Sequence, residues 1–100
     1  MEKLLPPEDC QSMEELRRQI DIVDRQLVSQ LVTRSRYIDR AVDLKKSEGL
    51  PARIDDRIAE VLDRVSAAAE AQGLDPALAR NLWTDLIEWS IEREIKELGE

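Results

Sequence analysis

The stretch from residue 12 to residue 46 reads SMEELRRQIDIVDRQLVSQLVTRSRYIDRAVDLKK and contains neither proline nor glycine. Its apolar side chains recur at steps of three and four residues, which is the period of one face of an α-helix. The members of this apolar stripe are Leu16, Ile20, Val23, Leu27, Leu31, Ile38 and Ala41. The stretch therefore predicts one very long helix with a single buried face, and it favours an all-α fold.

Two cations lie on the same face as the stripe. At about 100° per residue, Arg34 and Lys45 fall within about 20° of its centre. A buried cation without an anion suffers a large desolvation cost. Each side chain therefore needs a carboxylate from a neighbouring helix, a route to solvent along its own stem, or an anionic ligand. The pattern alone leaves these three possibilities open.

The composition limits the class of protein. The 100 residues carry a formal net charge of −7, one cysteine and no histidine. An acidic chain is poorly suited to binding nucleic acid. With only Cys10 and no histidine, the usual zinc ligands, catalytic triads and intrachain disulfides are not expected. No apolar run approaches the roughly 18 residues of a membrane span, and no signal peptide is evident, so we expect a cytoplasmic protein.

The first residues differ in character from the rest of the chain. Residues 1–11 predict an extended N-terminal arm, because two consecutive prolines disfavour a helix there. Ser12 and Glu15 have the spacing of a capping box, so the long helix should begin near Ser12. Residues 12–98 then make up one helical domain.

Two shorter helices should follow the long one. The long helix meets its first stop signals in the sequence Ser-Glu-Gly-Leu-Pro, and residues 47–54 predict a short mobile loop. Asp55 is placed to cap a second helix, which should end at Gly73. Asp75 and Pro76 supply a cap and a first-turn proline for a third helix that runs to about residue 98.

The length of the first helix implies a second chain. About 35 residues at 1.5 Å per residue make a rod of roughly 50 Å, whereas a compact domain of this size has a radius of gyration of about 13 Å. Two shorter helices cannot cover a stripe of that length. We therefore expect an intertwined homodimer with two-fold symmetry. The alternative is a helix that bends or breaks near residues 33–36.

Four more polar residues are candidates for a functional site. Arg57 lies at the edge of the inner face of the second helix, and Ser90 and Glu94 extend an apolar row of the third helix. Arg17 lies on the shoulder of the first-helix stripe. Each also has an ordinary explanation, because Arg17 and Arg57 suit an exposed surface and Glu94 suits a hydrated last turn.

Taken together, the candidates predict several inward cations, one hydroxyl and one carboxyl in an acidic helical bundle. No nucleophile lies beside a base in this pattern. Such a pocket suits a small di-anionic substrate. It also suits a reaction that is accelerated by conformational restriction and charge stabilisation rather than by covalent catalysis.

This pattern resembles the AroQ-type all-helical chorismate mutases and the related isochorismate-pyruvate lyases over residues 12–98. The resemblance is carried by Leu16-Arg17-(x2)-Ile20-Asp21-(x2)-Asp24-(x2)-Leu27-(x3)-Leu31-(x2)-Arg34, then by Lys45, Pro51, Arg57, Gly73-Leu74-Asp75 and Ile87-(x2)-Ser90. Two further stretches look more like the lyase branch. They are Pro7-Glu8-Asp9-Cys10 and Glu88-Trp89-Ser90-Ile91.

The resemblance implies a reaction and a role for each candidate. The implied reaction is the pericyclic conversion of chorismate to prephenate, in the shikimate pathway to aromatic amino acids, and it needs no cofactor. The implied dimer has two equivalent sites, and Arg17 reaches into the site of the partner. Arg17 and Arg34 would bind the substrate carboxylates with help from Arg57 and Ser90. Lys45 would donate to the ether oxygen, where negative charge develops.

The chain departs from the family pattern in two respects. Glu94 stands where many members carry glutamine as a second donor to the ether oxygen, and a carboxyl can donate only when protonated. Ile54 and Ile58 stand where mutases often carry acidic residues that hold the ring hydroxyl, so Asp55 or backbone takes over or the substrate differs. The alternatives are an isochorismate-pyruvate lyase, which forms pyruvate and salicylate, and a non-catalytic helical dimer.

Overall fold

A computed structural model describes residues 3–99 of the chain. It contains a single 3-10 turn, Pro7–Asp9, followed by three α-helices, α1 (Met13–Glu48), α2 (Asp55–Ala71) and α3 (Pro76–Leu98). No strand occurs within the described range. The predicted all-α fold, with one very long helix and two shorter ones, is confirmed. In the same range, no helix combines the length and the apolar character needed to cross a bilayer.

The long helix begins at the predicted capping box. The backbone N–H of Glu15 donates to Ser12 Oγ at 3.1 Å, and Glu15 Oε1 accepts from the N–H of Gln11 at 3.1 Å. The first bond satisfies a donor that the first turn of a helix leaves unpaired, and the second ties Gln11, the residue before the cap, to the helix. From there α1 runs without interruption through residues 33–36 for 36 residues, so the helix does not break where the alternative placed a break.

The chain divides into two compact units, Met1–Arg36 and Tyr37–Glu100. In the first unit, the N–H of Leu5 donates to Gln19 Oε1 on α1 at 2.8 Å, which ties the arm to the helix. The arm is not extended throughout, because Pro7 opens a 3-10 turn closed by the N–H of Cys10. Proline is tolerated at such a first position, where its missing N–H would have no partner. The first two residues of the predicted arm lie outside the described range.

In the first unit of a single chain, the apolar stripe of α1 is exposed to solvent. Ile20, Val23, Leu27 and Leu31 are all exposed, and Leu27 is 57% exposed. Contiguous exposed apolar surface of this kind marks an interaction site in soluble proteins. The expectation that one chain leaves the stripe uncovered is therefore met in this unit.

In the second unit, α2 packs against α3 around a small core made of Ala52, Ile87 and Ile91. The partly buried side chains around this core are Ile58, Val61, Leu62, Trp83, Ile95 and Leu98. The core therefore joins the inner faces of both shorter helices to the loop that precedes α2.

Both ends of the turn between α2 and α3 follow the sequence signals. Gly73 has a φ of 80°, and its N–H donates to the carbonyl of Glu70, while the N–H of Leu74 donates to the carbonyl of Ala69. This pair of bonds is the Schellman motif that a glycine makes accessible. Asp75 Oδ1 accepts from the N–H of Ala77 at 2.9 Å, which confirms the predicted cap of α3.

The start of α2 differs from the prediction. Ile54, not Asp55, is the N-cap residue, and no side chain caps the helix. Ile54 is extended and its carbonyl accepts from the N–H groups of Arg57 and Ile58, so Asp55 lies already inside the first turn. There its carboxylate is favourably placed near the positive end of the helix dipole. The loop is also shorter than predicted, because α1 continues to Glu48.

Candidate functional site

The last turn of α1 and the last two turns of α3 bring two predicted catalytic residues together. Lys45 Nζ lies 2.7 Å from Glu94 Oε1. The Lys45 side chain is 17% exposed and the Glu94 side chain 5% exposed, so this is an ion pair largely removed from water. Charges interact more strongly in such surroundings than at the surface. The structure thus places an ammonium and a carboxyl at one partly buried point of the second unit.

The Lys45 ammonium has a second partner. Its Nζ donates to the backbone carbonyl of Ala52 at 2.8 Å. A lysine ammonium carries three N–H donors, and this carbonyl uses one of them. Glu94 Oε1 is buried, and its contact with the ammonium lacks hydrogen-bond geometry. The pair is therefore held by charge, and this oxygen keeps an unused hydrogen-bonding position.

Ser90 lies one turn before Glu94 on the same face of α3. Both residues are buried, each with a relative exposure of 4%, in line with the buried Ile87. The hydroxyl of Ser90 donates to the carbonyl of Leu86 at 2.8 Å. The predicted inner row of α3 is therefore buried, and Glu94 does not lie in a hydrated, frayed turn.

Arg57 is placed differently. It is exposed on α2, and its guanidinium contacts Glu60 Oε1 at 2.5 Å, one turn further along the helix. This hydrogen bond, with the charge of Arg64 nearby, lowers the pKa of Glu60. Among the described residues Arg57 forms no ion pair with Glu94. In a single chain Arg57 is therefore a surface residue, which is the ordinary explanation that the sequence analysis gave for it.

Arg17 and Arg34 belong to the first unit. Arg17 is exposed on α1, and Arg34 is half-buried with an interaction partner of its own. The second unit contains the other four candidates, and of these Lys45 and Glu94 are in contact.

Two features of this region were not anticipated from the sequence. One is the carbonyl of Ala52, which engages Lys45. The other is a bidentate ion pair between Arg53 and Glu88, with N–O distances of 3.0 and 2.6 Å. The Arg53 hydrogen bonds lower the pKa of Glu88, and Glu88 in turn raises the pKa of Arg53. A backbone carbonyl leaves no signal in side-chain patterning, and an Arg–Glu pair 35 positions apart has no helical spacing to reveal it.

The positions where mutases often carry acidic residues are occupied here by isoleucine. Ile54 and Ile58 are half-buried, and Ile58 packs against the core of the second unit. Asp55, the expected substitute, is exposed. A groove of about 390 Å³ opens beside Lys45 and is lined also by Lys46, Leu50, Pro51 and Leu98. This groove contains Lys45 but not Glu94, Ser90 or Arg57.

Comparison with known proteins gives two findings. The model of the family described as chorismate mutase type II matches residues 16–95. The isochorismate pyruvate lyase of Pseudomonas aeruginosa is 35% identical over 91 residues, which cover 90% of this chain and 88% of that protein. The matched range includes all six candidate residues.

Proposed function

This chain belongs to the type II chorismate mutase family, and on that basis we propose that it is a chorismate mutase. It would convert chorismate to prephenate by restricting the substrate to its reactive conformer and stabilising charge on the breaking C–O bond. No cofactor is needed for this rearrangement. The observation that supports the proposal most directly is the partly buried contact between Lys45 and Glu94.

Lys45 would supply the main electrostatic contribution. Negative charge develops on the ether oxygen as the C–O bond breaks, and a preoriented ammonium in a site with little water stabilises that charge. The carbonyl of Ala52 and the carboxyl of Glu94 hold the ammonium from two sides, and the carbonyl uses only one of the ammonium's three N–H donors. The side chain is therefore oriented before the substrate arrives.

A second copy of the chain would complete the site. The exposed apolar stripe of α1, centred on Leu27, supports an interlocked homodimer in which α1 is covered by the partner. In that arrangement Arg17 enters the partner site, where it binds a substrate carboxylate together with Arg34. Arg57 and Ser90 assist. Two guanidinium groups are suited to this role because their donors match the geometry of a carboxylate.

The substitution Glu94→Gln tests whether a second donor assists Lys45. The Glu94 carboxyl is in contact with the Lys45 ammonium, and the amide of glutamine can donate to the ether oxygen whereas a carboxylate can only accept. We expect Glu94→Gln to give a kcat for chorismate at least equal to that of the wild type.

The matched control for this experiment is Glu92→Gln. Glu92 is exposed on the same helix, and its substitution removes the same charge, so the kcat of this variant should equal that of the wild type. A kcat for Glu94→Gln about tenfold or more below that of the wild type and of Glu92→Gln would contradict a donor role for the side chain at position 94.

Isochorismate-pyruvate lyase is the second candidate function. The similar protein from Pseudomonas aeruginosa carries that name, and the apolar Ile54 and Ile58 leave the ring hydroxyl of chorismate without a carboxylate partner. Both reactions break an ether C–O bond on a di-anionic substrate, so Lys45 would act in the same way in either.

The identity of the product separates the candidates. Purified protein is incubated with chorismate and, separately, with isochorismate, and the products are analysed by chromatography. We expect prephenate from chorismate. Pyruvate and salicylate from isochorismate, with little prephenate from chorismate, would favour the lyase. Absence of product from both substrates would contradict an enzymatic function.

A further inference from the structure

A strap of six residues, 49–54, joins α1 to α2 and is fixed at three points. The side chain of Ala52 is buried in the core with Ile87 and Ile91 of α3. The carbonyl of the same residue accepts from Lys45 Nζ at 2.8 Å. The next residue, Arg53, forms two parallel hydrogen bonds with Glu88 of α3. Neighbouring residues of the strap thus contact both the core and the ammonium.

The orientation of the Ala52 carbonyl depends on these neighbours. A carbonyl in a loop can rotate with the peptide plane, and a single buried methyl group restrains that rotation weakly. The Arg53–Glu88 pair supplies the missing restraint, because a bidentate guanidinium–carboxylate contact fixes direction as well as distance. Glu88 lies on α3, and Glu94 lies nearly two turns further along the same helix. One helix therefore holds both the strap and the carboxyl partner of Lys45.

We infer that Arg53 and Glu88 are positioning residues, which clamp the strap to α3 so that the Ala52 carbonyl aims the Lys45 ammonium toward the reacting ether oxygen. The inference about catalysis rests on the proposed function, whereas the clamping of the strap does not. The clamp itself does not touch the substrate. Its removal should leave substrate binding nearly intact and should misplace the donor that acts in the transition state.

Glu88→Gln is the test substitution. It keeps the size of the side chain and removes the charge that binds Arg53. We expect kcat to fall about tenfold with KM changed less than about twofold, since small displacements of a catalytic group are costly for the reaction step. Hydrogen–deuterium exchange of the strap amides, measured by mass spectrometry without substrate, should become about tenfold faster.

The chain offers a closely matched control. Arg93 and Asp39 form a second bidentate pair, at 2.6 and 3.1 Å, that also ends on α3 but does not involve the strap. The exposed fractions of its side chains, 46% and 51%, are close to the 47% of both Arg53 and Glu88. The substitution Asp39→Asn should leave kcat and strap exchange at wild-type values. Equal effects of Glu88→Gln and Asp39→Asn would overturn the inference.

Two combined variants separate positioning from general damage. Exchanging the charges, as in Arg53→Glu with Glu88→Arg, should restore most of the lost kcat and slow the strap exchange again. In a Lys45→Ala background, Glu88→Gln should cause no further loss of kcat, because the group it positions is already absent. A further tenfold loss in that background would contradict the role assigned to the clamp.

The two proposals fail in different ways. If the wild-type protein acts on neither chorismate nor isochorismate, the proposed function is wrong and the exchange experiment still decides whether the clamp orders the strap. If the protein is active and Glu88→Gln accelerates exchange without changing kcat, the clamp orders the strap but does not position Lys45, and the inference about catalysis is wrong.

Discussion

Replacing Lys45 with alanine should lower the turnover of chorismate by about 100- to 1000-fold, the range seen when one preoriented donor to a developing oxyanion is removed. Lys45 is the cation that the structure places in a partly buried contact with Glu94. Its loss removes the donor to the ether oxygen and leaves the substrate carboxylates with their own arginine partners. The fall should therefore appear mainly in kcat, measured from the initial rate of prephenate formation.

Lys46→Ala is the control for this substitution. Lys46 is the adjacent residue of α1 and is exposed, and its substitution removes the same charge from the chain. We expect its kcat to lie within about twofold of the wild type, as is usual for surface substitutions. A loss below about threefold for Lys45→Ala would show that Lys45 has no catalytic role.

Loss of Lys45 also affects folding, and the two effects can be separated. Alanine at this position leaves the Glu94 carboxylate buried without its cation, which should cost roughly 1–3 kcal/mol in the free energy of unfolding. The double variant Lys45→Ala with Glu94→Gln removes the unpaired charge. It should recover most of the stability, measured by urea denaturation at one protein concentration, without recovering activity.

Replacing Leu27 with aspartate should dissociate the proposed homodimer and reduce activity by at least about 100-fold. Leu27 lies at the centre of the apolar stripe of α1 and is 57% exposed in one chain. In a two-fold symmetric interface the new carboxylate would be buried twice without a partner, at several kcal/mol each. Sedimentation should then give the mass of one chain, 11.5 kDa, and the sites shared between chains should be lost.

Ser29→Asp provides the matched control. Ser29 is exposed on α1 and lies about 160° around the helix from Leu27, so the same charge falls on the opposite face. This variant should remain dimeric and active. A Leu27→Asp variant that stays dimeric with normal activity would contradict the interface proposed for α1.

Mixing two inactive variants tests whether a site is shared. If Arg17 and Arg34 of one site come from different chains, a heterodimer of Arg17→Ala and Arg34→Ala chains has one site with both arginines. Random reassociation should then restore about one quarter of the wild-type activity. No recovery above the separate variants would mean that each site takes both arginines from one chain.

The elements of the chain were largely predictable because their signals are local. The capping box of Ser12 and Glu15, the Schellman motif at Gly73 and the cap at Asp75 depend on residues within a few positions of one another. The start of α2 was the exception. Aspartate is a residue type that often caps helices, but the extended backbone of Ile54 places the N-cap one residue before Asp55.

The candidate site was predictable only in part. Helical periodicity alone assigned Lys45, Ser90 and Glu94 to inner faces, and all three are buried or half-buried. Periodicity assigns a face to each residue but not a partner. The contact between Lys45 and Glu94 joins positions on different helices, so it depends on the tertiary structure.

The sequence by itself determined the all-α class, the length of α1 and the identity of its apolar stripe, because these follow from residue spacing along one chain. Only the tertiary structure decided that Ala52 turns its carbonyl to Lys45 and that Arg53 pairs with Glu88. The physical reason is that a partner in space is set by how helices and loops meet. Hydrogen bonds to backbone carbonyls and ion pairs between distant positions have no period in the sequence.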